Sequence, residues 1–341
     1  FGNLIWAQYA SNAAPNHRFY KNNADKKDFN LYTKVTQRLG TAWMVYADVQ
    51  FRTIAYNSIG TVKGPEPIAI DDTLSFFNPK AGITYRASEV SRLYLSYAKA
   101  QREPNRSDYE NGAPKPESLN DFEAGWRFKK EKVQLQANLY YMDYENQLVL
   151  TGALDAVGEP IRTNSGDSYR FGLEIEAAIQ FAEQWVWQPN LALSSNKNKD
   201  FYFKRDGQLQ NLGTTNISYS PNVVGASNLV FAPSTVFRVA LLSKYVGEQF
   251  MGNIDADLSK LEAYFTNDIN ISYVWTPNSW IKEAQFSLLV NNIFNELYTS
   301  NGFFYTFDDD YSVPGVVTTI EGVGYYPQAG TNFLMGATFR F

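Results

Sequence analysis

Residues that could perform acid–base chemistry are few in this chain of 341 residues. Glu174 and Glu176 are two positions apart, so on an extended strand both carboxylates point to the same side, where a general acid and a general base could act together. The single histidine, His17, precedes the first predicted strand, and the chain contains no cysteine. A serine nucleophile would therefore lack its base, and no cysteine is available as a nucleophile. Charged residues are expected on any strand face that meets water, so the two glutamates do not by themselves indicate catalysis. We predict no enzyme, no catalytic residue, no metal site and no cofactor.

A second group of chemically capable residues lies near the end of the chain, where aromatic residues surround an acidic run. Aromatic rings can stack on a flat metal chelate or on a sugar, and carboxylates can hold a cation through their oxygens. An acidic run on a loop is ordinarily only solvated, so we predict a ligand-binding surface and no metal site. The candidate ligand-binding residues are Phe303, Phe304, Tyr305, Phe307 and Tyr311, around Asp308, Asp309 and Asp310.

Two other segments are rich in cations. One contains Lys197, Lys199, Lys204 and Arg205, and the other contains Lys99, Arg102 and Arg106. Such loops could attract an anionic ligand or an acidic lipid surface. The chain has neither a glycine-rich phosphate loop nor the basic patch typical of nucleic-acid binding, so we predict no nucleic-acid partner.

The elements that carry these residues are strands in which apolar and polar residues alternate. In the segment 132–141 one face carries Val133, Leu135, Ala137, Leu139 and Tyr141, and the other carries Gln134, Gln136 and Asn138. The segment 170–180 likewise sets Phe171, Leu173, Ile175, Ala177 and Ile179 against a face that includes Glu174 and Glu176. Because successive side chains on a strand point to opposite sides, each strand has one apolar and one wet face.

The connections between these strands alternate strictly in length. Short turns are predicted near 39–41, 87–90, 129–131, 182–184 and 232–234, with a longer one at 276–284. Long polar loops are predicted near 57–73, 104–118, 150–167, 198–221, 248–261 and 299–329. Loops longer than about 12–15 residues are uncommon in compact soluble domains. A transmembrane β-barrel has short periplasmic turns and long outer loops, and we predict that fold.

Composition agrees with this prediction. The net charge is −5 and 16% of the residues are aromatic, which suits aromatic girdles at the two membrane interfaces. The mean hydropathy of −0.35 is mildly polar, as expected when half of each strand faces a wet lumen. No segment approaches the roughly 18 to 20 apolar residues of a membrane-spanning helix.

We predict about thirteen strands, which is an odd number. They cover 28–38, 42–56, 74–87, 91–103, 119–129, 132–149, 169–181, 185–197, 222–231, 235–247, 262–275, 284–298 and 330–341. Single-chain bacterial barrels have an even number of strands, and an open sheet would leave unpaired amides in hydrocarbon. We therefore expect residues 1–341 to be the C-terminal part of a larger all-β antiparallel barrel whose first strands, plug and signal peptide lie upstream.

Two segments near the C-terminus resemble a known family. The run from Leu288 to Gly302, with the sequence Asn-Asn-Ile-Phe-Asn inside it, is similar to the strand and loop near the end of TonB-dependent outer-membrane receptors. The run from Tyr326 to Phe341 resembles their closing strand. Shorter pieces at 121–126, 139–144 and 169–174 are also similar and follow the family order. The family often has an arginine where Thr331 stands, and the approach Pro327-Gln328-Ala329-Gly330 resembles receptors of the Bacteroidetes type.

This resemblance implies a barrel of about 22 strands around an N-terminal plug, in the outer membrane of a Gram-negative bacterium. The implied function is active import: outer loops capture a scarce nutrient, above all a ferric siderophore or another iron complex, and TonB acts on the plug to admit it. The implied partners are TonB, the small-molecule or glycan ligand, membrane lipid, lipopolysaccharide and the barrel-assembly machinery. An importer of oligosaccharide or cobalamin on the same barrel, and a passive porin-like barrel, are the alternatives.

The last strand carries a stripe of apolar residues on one face. Its members are Phe333, Met335, Ala337, Phe339 and Phe341. A lipid-facing stripe requires this spacing. An aromatic residue with a free carboxylate at the terminus resembles the signal read by the barrel-assembly machinery, so Phe333, Phe339 and Phe341 are predicted to form that signal.

Overall fold

The computed structural model describes residues 2–3, 18–62, 66–110, 112–154, 160–164, 166–277 and 280–341. Its main sheet has fifteen strands, thirteen of which are nine residues or longer and form the wall of the molecule. The wall strands are β2 (Arg18–Leu39), β3 (Trp43–Val62), β4 (Glu66–Arg86), β5 (Ser91–Arg102), β6 (Glu117–Lys130), β7 (Val133–Glu145), β10 (Ser168–Ala182), β11 (Trp185–Asn198), β15 (Val223–Phe231), β16 (Phe237–Val246), β19 (Tyr264–Trp275), β20 (Glu283–Asn291) and β23 (Asn332–Arg340).

The remaining elements are short or lie in the connections. They are β1 (Gly2–Asn3), β8 (Leu148–Leu154), β9 (Pro160–Asn164), β12 (Tyr202–Arg205), β13 (Gln208–Asn211), β14 (Thr215–Asn216), β17 (Gln249–Phe250), β18 (Lys260–Leu261), β21 (Thr299–Asp309), β22 (Thr318–Pro327), the helix α1 (Arg106–Glu110) and one 3-10 turn, Asp257–Ser259. In the described ranges, no helix has the length and apolar character needed to span a membrane.

Each wall strand pairs with the next wall strand along the chain, and every such pair is antiparallel. β1 lies beside β2 at one end of the sheet and β23 stands at the other end. Within the described residues these two ends do not pair with each other, so the sheet is open. The prediction of an all-β antiparallel wall of about thirteen strands is confirmed.

The register of the sheet separates an apolar outer face from a polar inner face. One row across seven neighbouring strands consists of Val35, Ala47, Ala81, Tyr97, Phe122, Tyr141 and Phe171. A second row consists of Leu229, Leu241, Ile269, Val290 and Phe333. Within the described ranges no layer of protein covers these side chains, and Phe122 and Phe171 are 48% and 47% exposed. Uncovered apolar rows of this extent suit contact with hydrocarbon.

The inner face is wet. The neighbouring row consists of Lys34, Asp48, Lys80, Ala98, Asp121, Met142 and Arg170. Tyrosines on this face lie over glycines that stand directly opposite them, as Tyr140 does over Gly172. A side chain at that glycine would collide with the ring, since its Cβ would come within 2.4 Å of the tyrosine oxygen. The predicted two-faced strands are therefore present along these rows of the wall.

Short turns lie at one edge of the wall, which we call the turn rim, and long connections lie at the other, the loop rim. The turn after β2 contains Gly40 at φ 66°, a left-handed conformation that glycine adopts without strain. The connections after β5, β7, β11, β16 and β20 all lie at the loop rim. This is the asymmetry that the sequence predicts.

The predicted loop at 57–73 is wrong. β3 continues to Val62 and β4 starts at Glu66, and the two strands pair residue by residue across this region. β2 also begins at Arg18, ten residues before the predicted start at 28. Val62, Ile68 and Ile70 point to the inner face and are buried under Tyr109 of a neighbouring connection. This tertiary contact extends the strands beyond what their local pattern indicates.

The predicted strand 284–298 is too long, because β20 ends at Asn291. Asn292 and Asn295 have left-handed backbones at φ 50° and 55°, which end the strand. The predicted loop 299–329 is also wrong in part, since it contains the hairpin of β21 and β22. Its ten backbone pairings satisfy polar groups that a structureless segment of this length would leave to water.

Candidate functional site

Five connections at the loop rim fold together into one layer, which we call the loop layer. β8 and β9 from one connection join β21 and β22 from another in a four-stranded sheet. Beside this sheet a small apolar core forms from Val149, Phe201, Phe203 and Ile254. The loop layer is therefore a packed unit with its own core, and it carries all the candidate ligand-binding residues.

The hairpin divides the five candidate residues into three groups. Phe303, Tyr305 and Phe307 alternate along β21 and share one of its faces, with neighbouring ring centroids 6.2 and 6.4 Å apart and ring planes within 20° of each other. Phe304 lies on the opposite face and packs against the apolar core of the loop layer. Tyr311 lies beyond the end of β21 and is 75% exposed. The structure thus brings three of the five together.

The three rings form a strip that lies flat on the hairpin. Phe303 and Tyr305 stand opposite Gly324 and Gly322 of β22. A Cβ at either glycine would come within 2.3 Å of the opposite ring, so each ring rests directly on the glycine backbone. Because centroid separations above 6 Å are too wide for face-to-face contact, the rings lie side by side. We call this surface the aromatic strip.

The acidic run has structural partners. Asp308 is 3.2 Å from the ammonium of Lys204, and it accepts a hydrogen bond from the hydroxyl of Thr319 at 3.0 Å. Asp309 accepts the backbone N–H groups of Tyr311 and Ser312. In the described part of the chain, no group of three or more acidic, histidine or cysteine side chains is arranged to hold a metal ion.

A cavity of about 880 Å³ opens beside the aromatic strip. Its lining includes Phe307, Tyr202 and Leu209, together with the cations Lys199 and Lys204. Phe307 is the one candidate residue among those that line it, and the sequence prediction missed Tyr202 and Leu209. They belong to the hairpin of β12 and β13, whose turn is Asp206-Gly207 with φ 52° and 73°. An Asp-Gly pair between alternating residues is a hairpin signal that could have located them.

Polar contacts fasten the hairpin of β21 and β22 to its neighbours in the loop layer. The guanidinium of Arg205 is 2.7 Å from the carboxylate of Glu321. The hydroxyl of Tyr219 donates to the carbonyl oxygen of Gly302 at 2.7 Å, and burial raises the pKa of that phenol. These contacts join segments that are far apart in the chain, so the aromatic strip has a fixed position over the wall.

The second basic segment does not form a single patch. Arg102 is 3.2 Å from the carboxylate of Glu117, and Arg106 is 3.1 Å from that of Glu110. Lys99 lies on the outer face of β5 and has no acidic partner among the described residues. The first basic segment is divided in the same way, because Lys204 and Arg205 are paired within the loop layer.

A second cavity of about 480 Å³ lies on the inner face, under the connection after β5. Glu103 bridges Lys26 at 2.6 Å and Arg52 at 2.8 Å. Burial opposes ionisation of Glu103, but hydrogen bonds and charge from these two cations lower its pKa overall. Tyr109 donates to Asp72 at 2.7 Å, and burial together with this carboxylate raises the pKa of its phenol. The cavity is therefore lined by a paired network of charged and phenolic groups.

Glu174 and Glu176 lie on the inner face, in register with Asn138 and Gln136, and they line neither of the two cavities described above. His17 lies outside the described residues.

Two residues of the predicted assembly signal, Phe333 and Phe339, lie on the outer face of β23, and the third, Phe341, follows the last residue of that strand. Phe333 is 70% exposed, Phe339 meets Phe286 edge to face at 6.1 Å, and Phe341 stacks on Trp280 at 5.1 Å. Their role in assembly stays a prediction.

Comparison with known proteins gives consistent results. Among curated proteins, the catecholate siderophore receptor Fiu of Escherichia coli K12 is 22% identical over 305 residues, covering 83% of this chain and 35% of that protein. The closed-form crystal structure of the ferric-catecholate import receptor Fiu superposes with a TM-score of 0.65 at 19% identity, over 93% of this chain and 45% of that chain. The siderophore receptor PiuA of Acinetobacter baumannii gives a TM-score of 0.70 at 14% identity, over 94% and 44%.

This chain therefore spans less than half the length of these relatives. The profile of the family described as TonB dependent receptor-like, β-barrel matches residues 3–293. A match over most of the chain shows the family, and the two-faced antiparallel wall is the structure that such a barrel requires. The chain belongs to the TonB-dependent receptor-like β-barrel family, whose members lie in the outer membrane of Gram-negative bacteria.

Proposed function

We propose that this chain supplies the wall and the outer loops of a receptor that imports an iron complex, above all a ferric siderophore. The observation that carries the proposal is the 880 Å³ cavity in the loop layer, in which aromatic and cationic side chains face the same space. The curated relative that matches most of the chain is named as a catecholate siderophore receptor, which supports the same ligand class.

The chemistry of the cavity suits such a ligand. Many ferric siderophores carry flat aryl or chelate rings and a net negative charge. Phe307 and Tyr202 offer ring surfaces for stacking. Lys204 offers an ammonium group, and its side chain is 61% exposed. Lys199 also lines the cavity, and both lysines are paired, Lys199 with Asp143 at 2.8 Å and Lys204 with Asp308 at 3.2 Å, but the side chain of Lys199 is only 39% exposed. Lys204 is therefore the cation most accessible to a ligand.

The energy for import is proposed to come from TonB, acting on the plug that the family resemblance implies. The barrel-assembly machinery and the lipids of the outer membrane are proposed as further partners. Import leaves the bonds of the cargo intact, so we propose no enzymatic role. We propose that Glu174 and Glu176 serve only to keep the inner face of the wall hydrated.

A second candidate is import of an oligosaccharide, which the aromatic strip favours. Sugar rings present flat C–H faces, and side-by-side aromatic rings such as Phe303, Tyr305 and Phe307 can support successive sugar units. The two candidates differ in the residues on which they depend. Uptake of an anionic chelate requires Lys204, whereas uptake of a neutral glycan does not.

Growth of a deletion strain on single nutrient sources tests the proposal. The strain is supplied in turn with a ferric catecholate, ferric citrate, a ferric hydroxamate, cobalamin or an oligosaccharide, with and without an intact tonB gene. We expect growth to be lost on one class of iron chelate and restored by the wild-type gene only when TonB is present. Growth loss confined to a glycan or cobalamin would establish the alternative importer, and TonB-independent growth would indicate a passive pore.

Complementation with variants locates the site within the loop layer. Phe307→Ala and Lys204→Gln are expected to raise the chelate concentration needed for half-maximal uptake about tenfold, because each removes one cavity contact. Tyr311→Ala is the matched control, since Tyr311 is exposed outside the residues that line the cavity. If all three variants behave alike, the cavity is not the binding site.

A further inference from the structure

The wall splits between β4 and β5 on its way to the loop rim. The two strands pair with each other only over the segment of β4 from Lys80 to Arg86. The rest of β4, residues 66–79, continues toward the loop rim, and in the described part of the chain it pairs with β3 alone. β5 pairs on its other side with β6 as far as Arg102. One edge of β4 is therefore left without a neighbouring strand.

Pro79 ends the pairing between β4 and β5. In an antiparallel strand the backbone groups of successive residues point to opposite neighbours, and the N–H of Phe77 points toward β5, because it donates to the side-chain oxygen of Gln101 at 3.2 Å. Pro79 is two residues further along, so its nitrogen faces the same way and has no hydrogen to donate. The backbone pairing stops here, and the side chain of Gln101 replaces the next backbone partner.

The same alternation identifies the open backbone groups of β4. Residues an even number of positions from Phe77 have N–H and C=O groups that point away from β3. In the segment 67–75, those that have an N–H to offer are Ala69, Asp71, Thr73 and Ser75, and all four are exposed. The segment is about 27 Å long at about 3.4 Å per residue. We call the side of residues 67–75 that faces away from β3 the free edge.

The free edge lies in water, outside the hydrocarbon of the membrane. Pairing with β5 is complete at the apolar row that contains Ala81 and Tyr97, and the next row toward the loop rim carries the polar residues Asn120 and Asp143. Unpaired backbone groups cost several kcal/mol in hydrocarbon, so a gap in the wall is tolerated only beyond this level. A row of open N–H and C=O groups in water is a template for one more strand.

The 480 Å³ cavity on the inner face lies beside the free edge. Its lining includes Asp72 and Leu74, which alternate with the free-edge residues along β4, and Arg102 and Arg106 from the end of β5 and from α1. The lining has four cationic side chains and two carboxylates. The side chains of Arg102 and Arg106 remain 56% and 41% exposed beside their glutamate partners. A strand added to the free edge would place alternate side chains in this cavity, where a carboxylate is favoured.

We propose that the free edge binds an extended segment of another protein at the cell surface, which pairs antiparallel with β4 and places an acidic side chain beside Arg102 and Arg106. Backbone hydrogen bonds to the free edge supply the affinity, and the cavity supplies the preference for a carboxylate. Antiparallel pairing is the more stable of the two arrangements per residue. The free edge and this cavity share no residue with the lining of the 880 Å³ cavity, so the inference does not depend on the proposed import function.

A second copy of this chain does not fit the free edge. Two receptors in one membrane would be related by a twofold axis along the membrane normal, so both copies of β4 would run in the same direction. Each N–H of one free edge would then face the same N–H of the other, and neither would find an acceptor. The occupant is therefore a different polypeptide.

Peptides with selected N-methyl groups test the proposal on the purified full-length receptor in lipid nanodiscs. The probe is a short fluorescent peptide of alternating threonine and valine with a central glutamate, and its binding is measured by fluorescence anisotropy. With the glutamate opposite Leu74, the two flanking valines direct their N–H groups toward β4, and the threonines two positions from the glutamate direct theirs away. We expect methylation of the two valine amides to weaken binding at least about tenfold, and methylation of the two threonine amides to leave the affinity unchanged.

Substitutions test the same pairing from the side of the receptor. Thr73→Pro removes an N–H that points away from β3, and Pro67 and Pro79 show that β4 accepts proline at this alternation while it pairs with β3. Affinity for the unmethylated peptide should fall at least about tenfold in Thr73→Pro, whereas Thr73→Val keeps the N–H and should bind as the wild type does. Arg106→Gln should weaken the glutamate peptide several-fold and leave a glutamine peptide unaffected.

The methylated peptides act on the unaltered receptor, so they decide the question even where Thr73→Pro lowers the amount of folded protein. The proposal is overturned if the wild type fails to bind the unmethylated glutamate peptide, if the two methylated peptides bind alike, or if the glutamate and glutamine peptides bind the wild type equally well. It is also overturned if Thr73→Pro binds the unmethylated peptide as tightly as Thr73→Val does.

Discussion

Asn292 and Glu296 hold each other in a reciprocal pair of hydrogen bonds. The side-chain amide of Asn292 donates to the carbonyl oxygen of Glu296 at 2.8 Å, and the backbone N–H of Glu296 donates to the side-chain oxygen of Asn292 at 2.9 Å. The same amide also reaches the carbonyl oxygen of Ala329 at 3.3 Å, just before the last strand. The Asn-Asn-Ile-Phe-Asn element that resembles the family thus has a structural role: the hydrogen bonds of Asn292 link the end of β20 to the segment just before β23.

Loss of this side chain should therefore destabilise the closing part of the wall. Asn292 is only 4% exposed, so Asn292→Gly leaves buried backbone groups without partners, and we expect the free energy of unfolding to fall by about 1–3 kcal/mol. Asn292→Ala should cost about 1–2 kcal/mol more, because the left-handed backbone at φ 50° admits glycine without strain and opposes alanine. Urea unfolding of the full-length protein in lipid vesicles, followed by tryptophan fluorescence, measures both.

The comparison of the two variants isolates the side chain from the backbone. The backbone N–H of Asn292 donates to the carboxylate of Asp268 at 2.7 Å, and this bond survives in both variants. A glycine variant as stable as the wild type would show that the reciprocal hydrogen bonds contribute nothing and that the asparagine is present only for its backbone conformation.

The aromatic strip should be sensitive to a single methyl group. Gly324→Ala places a Cβ within 2.3 Å of the Phe303 ring, so the ring must leave the surface of the hairpin. Since the hairpin lies at the loop rim, the effect should be on ligand binding and not on assembly. For the oligosaccharide candidate, which depends on the aromatic strip, uptake affinity should fall about tenfold at an unchanged amount of folded receptor. Radiolabelled uptake and quantified surface expression measure the two quantities.

A compensating substitution checks the cause. Phe303→Ala removes the ring with which the new methyl group collides, so the double variant Gly324→Ala/Phe303→Ala should be no worse than Phe303→Ala alone. Additive losses in the double variant would mean that alanine at 324 disturbs the hairpin backbone and not the ring.

The wall could be predicted from sequence because its signals are local. The alternation of Val133, Leu135 and Ala137 with polar residues needs no knowledge of neighbouring strands, and the difference in length between turns and loops sets the direction of the sheet. The predicted loop at 57–73 is wrong because a tertiary contact determines the structure of this segment. Ile68 and Ile70 remain in a strand because Tyr109, about forty residues away in sequence, covers them.

For the candidate site, the sequence predicts the segment that carries it but not the arrangement of its side chains. Proximity in sequence grouped Phe304 with Phe303, although alternation along β21 places them on opposite faces. The spacing of Gly322 and Gly324 matches that of Phe303 and Tyr305, and this was the signal for a flat strip. No local pattern indicates that Tyr202 shares a cavity with Phe307, because that contact depends on how separate loops pack. The resemblance to receptors of the Bacteroidetes type stays a prediction.

Phe304 and Phe307 should respond differently to the same substitution. Phe304 packs against the core of Phe201, Phe203 and Ile254, so Phe304→Ala removes buried contacts and is expected to destabilise the loop layer by about 2–4 kcal/mol. Phe307 is 42% exposed, and Phe307→Ala should leave the layer intact. Limited proteolysis of intact cells detects the difference as faster cleavage in the loop layer of the Phe304 variant alone. Equal cleavage rates would contradict the division of β21 into a packed and an open face.

The tip of the hairpin should loosen in acid. Hydrogen bonds from the hydroxyl and the backbone N–H of Ser312, with a further one from the N–H of Tyr311, lower the pKa of Asp309 below its usual value of 3.8. A carboxylate whose pKa is lowered by folding contributes stability above its unfolded value, and that stability is lost as the pH falls through the lower, folded value. Protection of the amides of Tyr311 and Ser312 should therefore persist at pH 5 and decline below about pH 4.

Hydrogen exchange, corrected for the intrinsic effect of pH, measures this protection, and Asp309→Asn supplies the control. Asparagine keeps an acceptor oxygen in the same position but does not titrate, so protection in the variant should be independent of pH over the same range. If wild type and variant lose protection together, the loosening originates elsewhere in the loop layer, and Asp309 has no part in it.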